Sequence, residues 1–292
     1  MDLLDEMQTR IVCGDGAIGT LLLDAGIPLD RCFEELCFTE PDRIQTIHQQ
    51  YIAAGARVIE TNSFGANAVR LERFGLERRV TEINRAAAQV AVKAARGKDV
   101  YVAGSVGPLG INGEGAKARG IDRGQCFREQ ISALLEGGVQ IIFFETFTDF
   151  EEMEIALLAK KEIGAALEIC SFSCTPEGRV SSGMPLIDAF SELREDGARI
   201  VALNCMSGPD MVQLLRRVPS GSAVAAYPSA GHPKYHEGRF VYPLAPDSFA
   251  QSAREMAAAG ARLIGGCCGT NPKYIAAVAA AIADLETARK SP

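Results

Sequence analysis

Short apolar, β-branched runs alternate with stretches of helical period along almost the whole chain. The runs fall at 11–14, 57–60, 100–104, 140–144, 168–173, 199–204, 223–227 and 262–265 and predict strands. Helical period occupies 42–54, 82–96, 124–136, 149–163, 187–196, 209–217, 247–259 and 272–287. In the first of these, Ile44, Ile47, Tyr51 and Ile52 form one stripe and Gly55 stands as terminator. Start signals recur where the pattern needs them. Thr148-Asp149-Phe150-Glu151 reads as a capping box, Ser207-Gly208-Pro209-Asp210 as another, and Asn271-Pro272 opens the last helix.

Eight strand–helix pairs in 292 residues predict an α/β chain folded as a (β/α)₈ TIM barrel. A doubly wound sheet is the runner-up, because a count of strands does not show closure. With no linker, low-complexity tract or short repeat, residues 1–292 are expected to form a single domain. Two loops stand out: 104–124, with seven glycines, and 228–246, rich in Pro, Gly and aromatics. Both follow strands, which puts them at the rim where a barrel builds its active site; they could act as lids there.

Composition narrows the function classes. No apolar run approaches the roughly 18 residues of a membrane span, and the acidic start Met1-Asp2-Leu3-Leu4-Asp5-Glu6 lacks the basic region of a secretory signal. A cytoplasmic protein with no membrane partner is expected. The net charge of −7 and the dispersed Lys and Arg residues argue against nucleic acid. Nine cysteines without a signal peptide favour thiols that serve a metal or chemistry over a disulfide framework.

The unusual polar residues concentrate at strand ends. Asp15 follows the first strand, Glu60 and Thr61 close the second, Glu145 closes the fourth, Cys205 follows the sixth, and Cys267 and Cys268 follow the eighth. All would face one rim of a barrel. Gly14-Asp15-Gly16-Ala17-Ile18-Gly19 has the form of a dinucleotide fingerprint, but only about two helical turns precede Gly26-Ile27-Pro28, and Asp15 would set a carboxylate beside a pyrophosphate. A tight turn that lets backbone N–H groups and Asp15 approach a small ligand fits better.

Adjacent cysteines on a regular strand point to opposite faces. The glycines around Cys267-Cys268 free the backbone to turn both thiols inward, and Cys205 supplies a third. Three thiolates leave one tetrahedral position open, the arrangement of a catalytic zinc. Small buried hydrophobes are the competing reading, and spacing alone leaves both open. Cys13, Cys126 and Cys170 read as structural, and Cys32, Cys37 and Cys174 lack a partnering pattern. His232 and His236 are four apart, but Pro233 between them disfavours a helical metal pair. Glu145 ends the apolar run Ile141-Ile142-Phe143-Phe144 and looks placed for a ligand.

Taken together, residues 14–20, 60–67, 107–110, 145–149, 204–205 and 266–270 resemble the homocysteine S-methyltransferase family over nearly the whole chain. The resemblance implies the barrel, homocysteine as methyl acceptor with methionine as product, and Zn²⁺ held by Cys205, Cys267 and Cys268. It implies that Asp15 and Glu145 hold the amino group of homocysteine, and that Thr61 and the Gly16 turn receive its carboxylate through backbone N–H groups. Glu145 and the three cysteines then form the catalytic set. Two positions depart from the pattern. Where relatives place an Asn after strand seven or a Tyr after the Glu as fourth ligand of the empty site, this chain has Ser229 and Thr146; water is one candidate instead.

Asp15 to Asn67, with Arg31-Cys32-Phe33-Glu34-Glu35-Leu36, look closest to the methyltransferase half of bacterial proteins fused to a methylenetetrahydrofolate reductase. A stand-alone enzyme or an excised domain is therefore expected, with a fused or partner reductase, folate or cobalamin domain possible. Cobalamin-dependent methionine synthases carry a similar first domain. The resemblance leaves the donor open among S-methylmethionine, S-adenosylmethionine, betaine, methyltetrahydrofolate and methylcobalamin. Two alternatives remain: an acceptor domain that a partner must serve, and a zinc or thiol storage or redox protein.

Overall fold

The computed structural model describes residues 2–164, 166–236 and 239–290. Eight parallel strands form one sheet: β1 Val12–Cys13, β2 Val58–Glu60, β3 Tyr101–Val106, β4 Ile141–Phe147, β5 Leu167–Phe172, β6 Ile200–Asn204, β7 Val224–Tyr227 and β8 Leu263–Ile264. Neighbours in sequence are neighbours in space, and β8 pairs back onto β1. A parallel bridge from Gly14 to Val58, with Arg57 N–H donating to Cys13 O at 2.7 Å, joins β1 to β2. That junction closes the sheet, so the fold is the barrel and not the doubly wound alternative.

Alternation along each strand divides the core in two. Val12, Val58, Ile141, Phe143, Ile169 and Ile200 are among the side chains that fill the barrel. Their neighbours Cys13, Ile59, Ile142, Phe144, Cys170 and Val201 face the surrounding helices. Cys13 and Cys170 are therefore core residues, and all nine cysteines are free.

The main helices fall within a few residues of the predicted stretches, from Pro41–Ala53 to Pro272–Lys290. Their caps follow local chemistry. Ser207 accepts from Asp210 N–H, as its motif predicts. In the other box the cap is Asp149, whose Oδ1 accepts from Glu152 N–H at 2.9 Å, and not Thr148. The short helix Gly19–Asp24 falls where about two helical turns are expected, but the pattern did not reveal the helix Leu3–Thr9, the short helix Gly113–Ala118 or the hairpin Lys234–His236/Arg239–Val241. Leu3 and Met7 are about 1% exposed and plug the N-terminal end of the barrel. No helix among the described residues is long and apolar enough to cross a membrane.

Candidate metal and substrate site

A cavity of about 390 Å³ opens at the C-terminal ends of the strands. On its wall the first and last strands merge into one unit. Gly14 N–H donates to Ile264 O at 2.8 Å and Gly266 N–H to Asp15 O at 2.8 Å. Thr270 Oγ1 accepts from Ala17 N–H at 3.1 Å and donates to Cys267 O at 2.7 Å. Residues some 250 positions apart are thus one double turn. Its glycines are dictated by crowding: a Cβ on Gly265 would stand 2.3 Å from Tyr227, and one on Gly266 2.7 Å from Thr270. The helix after the Gly14–Gly19 turn spans only Gly19–Asp24, consistent with a small-ligand turn.

Cys267 and Cys268 lie beyond β8 in this turn, outside any strand. Cys205 follows β6 in the left-handed conformation (φ 58°), an uncommon geometry for a residue with a Cβ. Its N–H donates to Tyr227 O at 3.0 Å, which fixes the thiol toward the other two. Cys205 and Cys268 sulfurs are 3.5 Å apart, those of Cys267 and Cys268 4.0 Å, and all three lie within 4.8 Å. Sulfurs about 2.3 Å from a tetrahedral zinc stand about 3.8 Å apart. The three thiols fit a metal ion. Hydrogen bonds from Cys205 and Cys267 pull Cys268 down to about 3, while its two partners are pushed up.

Three carboxyls form the other part of the site. Glu145 sits where the β4–β5 register shifts between Phe144 and Phe147, a bulge that re-aims its side chain. Thr146 beside it is also left-handed (φ 61°) and is clamped by buried Asn204. Asn204 Oδ1 accepts from Thr146 N–H at 2.9 Å, and its Nδ2 donates to Thr146 Oγ1 at 2.7 Å. Ser105 Oγ hydrogen-bonds Glu145. Glu60 shares a hydrogen bond with Glu145, and Asp15 Oδ2 accepts from Glu60 N–H at 2.9 Å. Burial drives all three upward: Glu145 to about 6, and Asp15 and Glu60 well above the usual carboxylate range, with Glu145 adding to both. No Lys, Arg or His is among the described residues that line the cavity. Three acids without a cation leave the cavity able to take up a positively charged group.

Thr61 meets its expected role only in part. Its N–H is committed to the sheet, donating to Ala103 O at 2.9 Å, and its hydroxyl pairs with Ser63 and accepts from Ser105 N–H. It lines the cavity but has no N–H to offer a carboxylate. Glu60 carries the same strand-end signal as Glu145 and could have been assigned with it. Asn204 ends the apolar run of β6 in the same way, whereas Tyr242, whose ring lies over Gly269, carries no such signal. His232 is exposed, and the side chain of His236 lies outside the described residues.

The sequence profile described as Homocysteine S-methyltransferase matches residues 12–282. The chain belongs to that family. It is 33% identical over 306 residues to a methionine synthase of Mycobacterium tuberculosis and 31% identical over 308 residues to that of Mycobacterium leprae. The matches cover 98% and 97% of this chain but 26% and 25% of those proteins, so the chain spans about a quarter of their length. Among solved structures it is similar to the metallated form of the homocysteine methyltransferase MmuM from Escherichia coli, with a TM-score of 0.79 and 27% identity. That match covers 95% of this chain and 98% of MmuM.

Proposed function

We propose that this chain transfers a methyl group to the thiol of homocysteine, with zinc held by Cys205, Cys267 and Cys268. The observation that carries the proposal is the pairing, on one cavity, of three convergent thiols with three buried carboxyls. An amino acid whose side chain ends in a thiol offers both an ammonium and a sulfur. Asp15 and Glu145, joined by Glu60, would bind the ammonium, and ionising them becomes easier once that charge arrives. The Gly16 turn supports a role for backbone N–H groups toward the carboxylate. Zinc bound to the three cysteines would hold the substrate thiol as thiolate at neutral pH, where a free thiol with a pKa of roughly 8.5 is mostly protonated. Clamped Thr146 and Asn204 keep Glu145 fixed, so the amino group anchors the sulfur for in-line attack on an activated methyl carbon, whose bond to the donor breaks as the donor leaves with the electron pair.

The metallated form of the E. coli relative supports a metal here, and the thiolate-rich donor set favours zinc. Replacing any of Cys205, Cys267 or Cys268 with Ala is expected to abolish zinc content, measured by elemental analysis, together with methionine formation. A variant that stays fully active without metal contradicts the reading.

The same family includes whole enzymes and single domains. Near-complete coverage of MmuM supports a chain that is one catalytic domain, and quarter-length coverage of the methionine synthases supports an acceptor domain that a folate or cobalamin partner serves. Purified chain incubated with homocysteine and each donor in turn separates them: turnover with a small sulfonium or betaine supports the first, and turnover only with a methylated cobalamin or folate domain supports the second.

A further inference from the structure

If the three cysteines bind a metal beside a substrate thiolate, four sulfurs stand within reach of one electrophilic methyl group. Methylating a cysteine ligand would disable the site, so the substrate sulfur must be the best nucleophile of the four. The loop after β7 brings two hydroxyls to this problem. Ser229 Oγ donates to Cys205 Sγ at 3.8 Å, and Tyr242, folded over Gly269 next to Cys268, brings its hydroxyl within reach of the Cys268 sulfur.

Neither contact is a loose surface encounter. Ser229 is buried, and its N–H donates to Met206 O at 2.9 Å. The loop's own backbone is stitched to the cysteine turn: Cys267 N–H donates to Pro228 O at 2.8 Å and Ala230 N–H to Cys268 O at 2.9 Å. The chain two residues beyond Tyr242 is held at Leu244. Leu244 N–H donates to Ala230 O at 3.1 Å, and Tyr274 Oη donates to Leu244 O at 2.6 Å. The Tyr242 ring lies so close over the turn that a Cβ on Gly269, itself left-handed at φ 80°, would stand 2.1 Å from it.

We infer that Ser229 and Tyr242 are positioning residues that shield Cys205 and Cys268 from methylation by drawing electron density from their sulfurs. This rests on the metal reading above. A hydrogen bond to an ionised sulfur is of the strong, charge-assisted kind and engages the lone pair that an alkylating carbon would need. Shielding of this kind requires that neither hydroxyl engages the substrate sulfur, which then keeps its nucleophilicity. Cys267, hydrogen-bonded by neither hydroxyl, serves as an internal reference.

The test uses methyl iodide on the zinc-loaded chain without homocysteine. A sulfur lone pair forms the S–CH₃ bond as the C–I bond breaks, and iodide leaves with the bonding pair. Peptide mass spectrometry then measures S-methylcysteine at 205, 267 and 268 over time. Tyr242→Phe keeps the ring against Gly269 and is expected to speed methylation of Cys268 roughly fivefold or more relative to Cys267; Ser229→Ala should do so for Cys205. In the cobalt-loaded Tyr242→Phe chain, the thiolate-to-metal charge-transfer band should move to lower energy as the sulfur becomes more electron-rich. Zinc-replete variants that methylate like the unaltered chain, with an unmoved cobalt band, overturn the inference. An unaltered chain that takes up neither metal overturns the metal reading itself, which is a distinguishable failure.

Discussion

At the scale of single residues, the acid triad is the most chemically loaded part of the molecule. Asp15, Glu60 and Glu145 are packed where water cannot stabilise three charges, so protons must be shared among them until a cation arrives. Glu145 is raised to about 6 by burial, although Ser105 and Glu60 hydrogen-bond to it. A raised acid is protonated below that value and loses its hold on an ammonium. KM for homocysteine is therefore expected to climb as pH falls through about 6, with kcat changing less. Glu145→Gln should raise KM roughly 10–100-fold at neutral pH, the worth of a charge-assisted bond, and flatten the acid limb of the profile. Steady-state kinetics across pH 5 to 8 checks both. An unchanged acid limb in the variant would move the titration to another group.

At the scale of elements, strand β5 and the helix Phe150–Ile163 are joined by more than apolar contact. Glu168 on β5, 2% exposed, pairs with Lys160 of that helix and with Arg199 Nε at 3.2 Å, just ahead of β6. Burial opposes its ionisation, but the hydrogen bonds from Arg199 and Lys160 outweigh burial and lower it. A lowered acid contributes stability above its unfolded value, near 4.3, and loses it as pH falls through the folded value. Glu168→Gln leaves Lys160 buried beside a neutral partner and should cost about 3–5 kcal/mol. Denaturant unfolding at pH 7 and pH 4 reads this: the gap between variant and parent should narrow at the lower pH. The strand and helix themselves were legible in the apolar pattern, because a strand covered on both faces is nearly continuous in apolar residues and its covering helix carries one stripe. The helix Leu3–Thr9 was not, since its seven residues hold too few turns to show a period, although Asp2 caps it by accepting from Asp5 N–H at 2.9 Å. The site divides in the same way. Asp15 and Glu145 stand out because each ends an apolar run, whereas spacing left the three cysteines open between metal ligands and buried hydrophobes, and only the family resemblance singled them out. Tyr242 owes its place to a loop folding back on Gly269, which no local period encodes.

At the scale of the whole molecule, the barrel separates stability from chemistry along its axis. The C-terminal rim carries the strained residues Thr146 and Cys205, the buried acids and the cavity, while the N-terminal end is sealed by the helix Leu3–Thr9. That seal is partly polar. Glu6, 2% exposed, meets Arg57 Nη2 at 3.1 Å and accepts from Tyr101 Oη at 2.8 Å, tying the plug to the start of β3 and to the residue before β2. Met7, 1% exposed, packs with Leu3 against the lowest layer of the interior. Truncating it to Ala leaves a void in a tightly packed end and should cost roughly 2–5 kcal/mol. In a chain of this size that lowers the unfolding midpoint by about 3–8 °C. Because the cysteines and acids stand at the opposite end, on turns knitted to each other and not to the plug, zinc stoichiometry and homocysteine affinity of Met7→Ala below its unfolding transition should match the parent. Thermal unfolding, elemental analysis and calorimetric titration on one preparation test the separation. A midpoint loss accompanied by loss of zinc at room temperature would mean that the two ends of the barrel are coupled, and that the plug belongs to the functional unit.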